Sequence, residues 1–105
     1  MNIAIDYDDT YTKDPSLWSM FIKQAQANGH KVYCITKRYE ELAQDIKEQL
    51  DIQIIFAEKS KLEAAHSNAL RIDVWIDDKP QSIYPYALLN KLNNKKNAHI
   101  FRRHR

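Results

Sequence analysis

The sequence predicts a three-layer α/β domain built on a doubly wound, mainly parallel sheet, and three observations carry that expectation. Four short β-favouring runs recur at intervals of about 20 to 30 residues: "NIAI" (2–5), "KVYCI" (31–35), "IQIIF" (52–56) and "IDVWI" (72–76). Segments with helical periodicity fill the gaps between them. The runs are apolar throughout instead of alternating, which suits strands buried on both faces by crossover helices.

The first gap predicts a helix with Asp14 as N-cap, Pro15 at its first position, Leu17, Met20, Phe21 and Ala25 on its apolar side, and Gly29 as its stop. The second predicts a helix over 39–50, with Leu42, Ile46 and Leu50 four residues apart and charges elsewhere on its surface. The third predicts a helix over 60–69 carrying Leu62, Ala65 and Ala69. Beyond residue 78 the pattern weakens. Pro80 and Pro85 interrupt it, 90–97 reads as a surface connection rich in Asn and Lys, and "AHIFR" (98–102) is a weaker candidate fifth strand. Trp18 and Trp75 are expected in the core, and Tyr7 is expected to pack.

With 105 residues, the chain is expected to be one domain, 1–105, with an ordinary hydrophobic core and no disulfide. The single Cys34 lies in an apolar run, where a buried reduced thiol fits a reducing, cytoplasmic setting. No apolar stretch approaches the roughly 20 residues that span a bilayer. The expectation is therefore a soluble, unprocessed chain with no membrane partner. A single glycine rules out a Gly-rich phosphate loop, and with it P-loop nucleotidases and dinucleotide binders. The net charge of +2 is unevenly spread, since residues 95–105 hold five basic side chains and no acid.

The chemistry-bearing residues collect where strands end. Strand one ends in "DYDDT", which places Asp6, Asp8 and Asp9 together. Like charges so crowded repel one another, so a cation is expected among them. Strand two ends in Thr36, followed by Lys37 and Arg38; Lys59 and Lys61 follow strand three; Asp77 and Asp78 end strand four. Open α/β sheets bind ligands beyond the carboxyl ends of their strands, so these groups converge on one edge. A cluster of carboxylate oxygens suits Mg²⁺, and the lysine and hydroxyl suit phosphate oxygens.

This constellation resembles the haloacid dehalogenase-like superfamily of phosphohydrolases. "IAIDYDDT" matches its strand followed by D-x-D-x-T/V at Asp6, Asp8 and Thr10; "VYCIT" matches its strand ending in Thr or Ser; a lysine precedes the fourth strand; and "DVWIDD" matches its strand ending in paired acids. The motifs span residues 2 to 78. The resemblance implies a Mg²⁺-dependent phosphatase working through an aspartyl-phosphate. Asp6 would be the nucleophile and Asp8 the general acid/base whose backbone carbonyl also ligates the metal. Thr36 and Lys61 would hold the phosphoryl group, with Lys59 as the alternative lysine. Asp6, Asp8, Asp77 and Asp78 would make the metal site.

The family often carries a cap domain, and the spacing here leaves no room for one. In that family an open site implies a bulky phosphorylated substrate such as a nucleotide, a nucleic acid end or a protein, or else a lid supplied by another subunit. The basic tail 95–105 would add weak, sequence-independent contact with phosphates. Two rival classes stand beside this reading. A phosphoaccepting receiver domain needs an aspartate at the end of strand three, where "IIFAEKS" has none. A non-catalytic interaction protein that keeps the fold is compatible with every motif. The four histidines show no metal-ligand spacing.

Overall fold

Ile3 and Ile5 point to one side of the first strand and Ala4 to the other, and all three are buried, so this strand must be covered on both faces. In the computed structural model, which describes residues 1–89 and 91, that strand is β1 (Asn2–Ile5). It is followed by α1 (Pro15–Ala27), β2 (Lys31–Thr36), α2 (Gln44–Gln49), β3 (Gln53–Phe56), α3 (Lys61–Ser67) and β4 (Val74–Ile76). The sheet is parallel throughout, in the order β3-β2-β1-β4. Ile5 lies level with Cys34 on one side and Ile76 on the other, so β1, β2 and β4 end on one edge.

The two faces have separate cores. Ile3, Ile5, Val32 and Cys34 pack with Ile22 and Ala25 of α1 and Ile46 of α2, whereas Ala4, Tyr33, Ile35 and Ile55 pack with Ala65 of α3. The fold is thus a three-layer, Rossmann-like α/β sandwich. Among the described residues, no helix is long and apolar enough to cross a membrane.

Caps and breaks explain where the helices lie. Asp14 accepts the Leu17 N–H (3.1 Å) ahead of Pro15. Gly29, at φ 86°, lets its own N–H and that of His30 close on Gln26 and Ala25, which ends α1 as expected. The buried stripe of α1 is shifted from the expected one: Trp18, Phe21, Ile22 and Ala25 face the core, and Leu17 and Met20 face outward. Trp75 is half-buried against the second core, and Tyr7 is buried in the first.

The helix expected over 39–50 is shorter. The Leu42 carbonyl accepts from the Arg38 guanidinium (2.9 Å), and the Ile46 N–H, its partner in a continuous helix, turns to the Asp45 carboxylate (2.9 Å). That diversion leaves a 3₁₀ turn over Glu40–Leu42, with Leu42 exposed, ahead of α2. The third helix ends at Ser67 because Ala69 adopts a left-handed backbone (φ 57°), which takes Ala69 off the apolar stripe. The candidate strand 98–102 and the basic tail 95–105 lie outside the described residues.

Candidate active site

In a sheet of this order the chain winds one way from β1 to β3 and the other way to β4, so the winding reverses between β1 and β4. A crevice opens at such a point, beyond the strand ends. Here it is an open cleft of about 350 Å³, lined by Asp6, Asp8, Thr36, Lys61, Asp77 and Asp78, with Asp9, Lys37, Arg38, Lys79 and Ser82 around them.

Asp6 is held to the sheet by its own N–H, which donates to the Ile76 carbonyl at 2.9 Å and continues the β1–β4 ladder. The chain then turns sharply. Tyr7 goes into the core, stacked on Tyr11 at 5.6 Å, and Asp9 takes a left-handed conformation (φ 64°) that an aspartate tolerates better than most residues. The turn brings Thr10 back over Asp6. The Thr10 hydroxyl lies 3.3 Å from Asp6 Oδ2 and 3.1 Å from Asp78 Oδ1, free to donate to either, and it accepts the Asp78 N–H at 3.2 Å.

Lys61 is the first residue of α3, fixed there by a capping box. Ser60 Oγ accepts the Glu63 N–H (3.1 Å) while Glu63 accepts the Ser60 N–H (3.4 Å). From that position Lys61, only 3 % exposed, bridges Asp6 (2.8 Å) and Asp77 (2.6 Å). Asp77 also accepts the Lys79 N–H (2.9 Å) and the Ser82 hydroxyl (3.3 Å). Asp6, Asp77 and Asp78 each present a carboxylate oxygen within 4.8 Å of the others.

The electrostatics follow from that crowding. Burial pushes the Asp6 carboxyl up to about 6; Lys61 opposes the rise, and Asp78 and Asp77 add to it. Asp78 is held below the usual carboxylate range, chiefly by its hydrogen bond with Asp6 and further by Thr10. With Lys61 counted, the three acids retain a formal charge of −2 when ionised, which a divalent cation would neutralise.

Of the residues expected from the sequence, Asp6, Lys61, Asp77 and Asp78 meet directly. Thr36 is buried at the end of β2, where its hydroxyl oxygen accepts the Arg38 N–H at 3.1 Å. Lys59 lies away from the cleft lining. The Asp8 carboxylate stands apart from the acid cluster and accepts from Arg38 Nη2 at 2.5 Å and Nε at 3.2 Å. Arg38 in turn donates to Asp45 (2.6 Å) and lies 5.5 Å over the Tyr7 ring; its hydrogen bonds to Asp8 and Asp45 raise its pKa further. The sequence signals Thr10 only as the end of a motif and gives no sign of its double link. Nothing in the sequence points to Asp45, whose tie to the cleft exists only through Arg38.

Comparison with protein-family models, with curated proteins and with solved structures finds no match to this chain. The functional reading therefore stands on its residues and their geometry.

Proposed function

We propose that the protein is a Mg²⁺-dependent phosphohydrolase of the haloacid dehalogenase-like type, acting on phosphate monoesters without a cap domain. The observation that carries the reading is Lys61, buried between Asp6 and Asp77 beside Asp78 at the point where the winding reverses. The donor set fits the metal. Three hard carboxylate oxygens and a net charge of −2 suit Mg²⁺, which is commonly held by few carboxylates plus water and substrate oxygens. Asp6, Asp77 and Asp78 would hold it with the Asp8 backbone carbonyl, and when bound it would neutralise charge on the transferring phosphoryl group.

In this reading an oxygen of ionised Asp6 attacks phosphorus, the bond to the leaving oxygen breaks, and Asp6 carries the phosphoryl group. The Asp8 carboxyl gives its proton to the leaving oxygen. It then takes a proton from water, whose oxygen attacks phosphorus and releases phosphate from Asp6. Lys61 and the Thr36 hydroxyl bind the equatorial phosphoryl oxygens, where charge is spread in the transition state. Substrate entry must draw Asp8 out of its pairing with Arg38. That pairing is also the one feature that favours the second reading, a binding protein that keeps the fold, because Arg38 holds Asp8 in place as a salt-bridge partner.

Hydrolysis of para-nitrophenyl phosphate, measured with and without Mg²⁺, separates the two. Metal-dependent turnover that falls by about 10³-fold or more in Asp6→Asn and by about 10²- to 10⁴-fold in Asp8→Asn supports the phosphatase. Undiminished rates in both variants, or Mg²⁺ binding without turnover in the wild type, would sink it.

A further inference from the structure

A second groove, of about 440 Å³, adjoins the acid-lined cleft and shares Lys37 and Ser82 with it. Its size is that of a site for one small organic molecule. Ser82 joins the two structurally as well, since its hydroxyl reaches Asp77 at 3.3 Å. The cleft is acidic, but the groove is lined by Lys37 and Lys59 together with Tyr84, Tyr86 and Leu89, and Glu63 is its single acid. Tyr84 is 40 % exposed and Tyr86 82 % exposed. Two ring faces on the wall of the groove are therefore open for a flat π-system to stack on.

The geometry points to this groove as the leaving-group site for a nucleotide: the phosphate enters the cleft and the nucleobase lies in the groove against Tyr84 and Tyr86. The inference rests on the phosphatase reading for the identity of the phosphate site. A nucleobase fits better than an aliphatic alcohol because it offers a π-face to the tyrosines, a contact open to every base. It also carries ring nitrogens and carbonyl oxygens, which accept from lysine ammonium groups. The groove has room for one nucleoside, and a mononucleotide is the occupant that fills it. Lys37 stands on the shared wall, between the phosphate and the base.

The test is equilibrium binding in the Asp6→Asn background, so that nothing turns over, with Mg²⁺ present. Thymidine 5′- and 3′-monophosphates are compared with 2-deoxyribose 5-phosphate, which lacks the base. Stacking on tyrosine predicts that the better nucleotide binds roughly 5- to 150-fold more tightly than the sugar phosphate. The exposed-site substitution Tyr86→Ala should shrink that ratio towards one, and Lys59→Gln should lower it in part. Equal affinity for nucleotide and sugar phosphate overturns the groove assignment. So does a preference that survives both Tyr86→Ala and Tyr84→Ala, or a phosphotyrosine peptide that outcompetes both nucleotides. Wild-type turnover distinguishes this failure from that of the phosphatase. Hydrolysis of both compounds at equal kcat/KM keeps the enzyme and ends the groove, whereas Tyr86-dependent nucleotide preference without any turnover keeps the groove and ends the enzyme.

Discussion

Replacing Lys61 by methionine removes the cation from between two buried carboxylates and leaves a side chain of similar length. Breaking a buried ion pair by removing one partner costs about 3–5 kcal/mol. For 105 residues at about 2.1 cal/mol/K each, the unfolding entropy near the midpoint makes 1 kcal/mol worth roughly 4–5 °C. The melting temperature of Lys61→Met should therefore fall by roughly 14–23 °C at pH 7.5 without metal. The loss must depend on pH, and the sign follows from Asp6. Its folded pKa is raised to about 6 from 3.8, so its contribution is present below about pH 4 and is lost as pH rises towards 6. Lys61 lowers that pKa, so removing the amine moves it higher and lets the proton stay on Asp6 to a higher pH. At pH 5 the variant's Asp6 is neutral, and the deficit against wild type should be well below its value at pH 7.5. Paired thermal melts from pH 5 to 8 read this directly, and the double variant Lys61→Met/Asp6→Asn should recover much of the loss at pH 7.5. A deficit under about 1 kcal/mol, the size of an exposed pair, or one constant across that range, would refute the claim that Lys61 compensates buried negative charge.

Two further outcomes follow from the same packing. Burial pushes the Cys34 thiol up to about 12 and leaves its side chain without exposure, so a disulfide thiol reagent at pH 8 should leave the native protein unmodified and modify one thiol per chain in denaturant. Because the raised value favours the neutral thiol, the stability Cys34 contributes is intact below about pH 9 and declines as pH climbs towards 12; rapid modification of the native form at pH 8 would contradict the burial. Ser60→Ala removes the cap that fixes Lys61 at the start of α3 and should cost about 1 kcal/mol, or roughly 4–5 °C in melting temperature. Lys61→Met, by contrast, should cost several times as much, and equal losses would mean that Lys61 acts only through the helix.

Local order was largely legible because it depends on neighbours in the chain. Asp14-Pro15 opens α1 and Gly29 closes it through rules that act over a few residues, and the four apolar runs announce the strands, of which the central β1 and β2 are buried on both sides while the edge strands β3 and β4 are only partly covered and Val74 is exposed. The grouping of Asp6, Thr36, Lys61, Asp77 and Asp78 on one edge also follows from sequence, since each lies at or just beyond a strand end and parallel strands end together. Boundaries were less legible where a distant side chain took over a backbone bond. The helix expected over 39–50 breaks because Arg38 claims the Leu42 carbonyl and Asp45 the Ile46 N–H, a competition that no propensity encodes.

By itself, then, the sequence determined the α/β alternation, the parallel sheet and which acids could meet. Only the tertiary structure decided how they meet: Lys61 rather than Lys59 enters between Asp6 and Asp77, Thr10 ties Asp6 to Asp78, and Asp8 turns away to Arg38. The physical reason is range. Periodicity and capping act along the chain, whereas the partner of a charge is set by burial and by elements brought together across 55 or 68 positions of sequence, where removal from water makes each pairing strong and each unpaired charge costly.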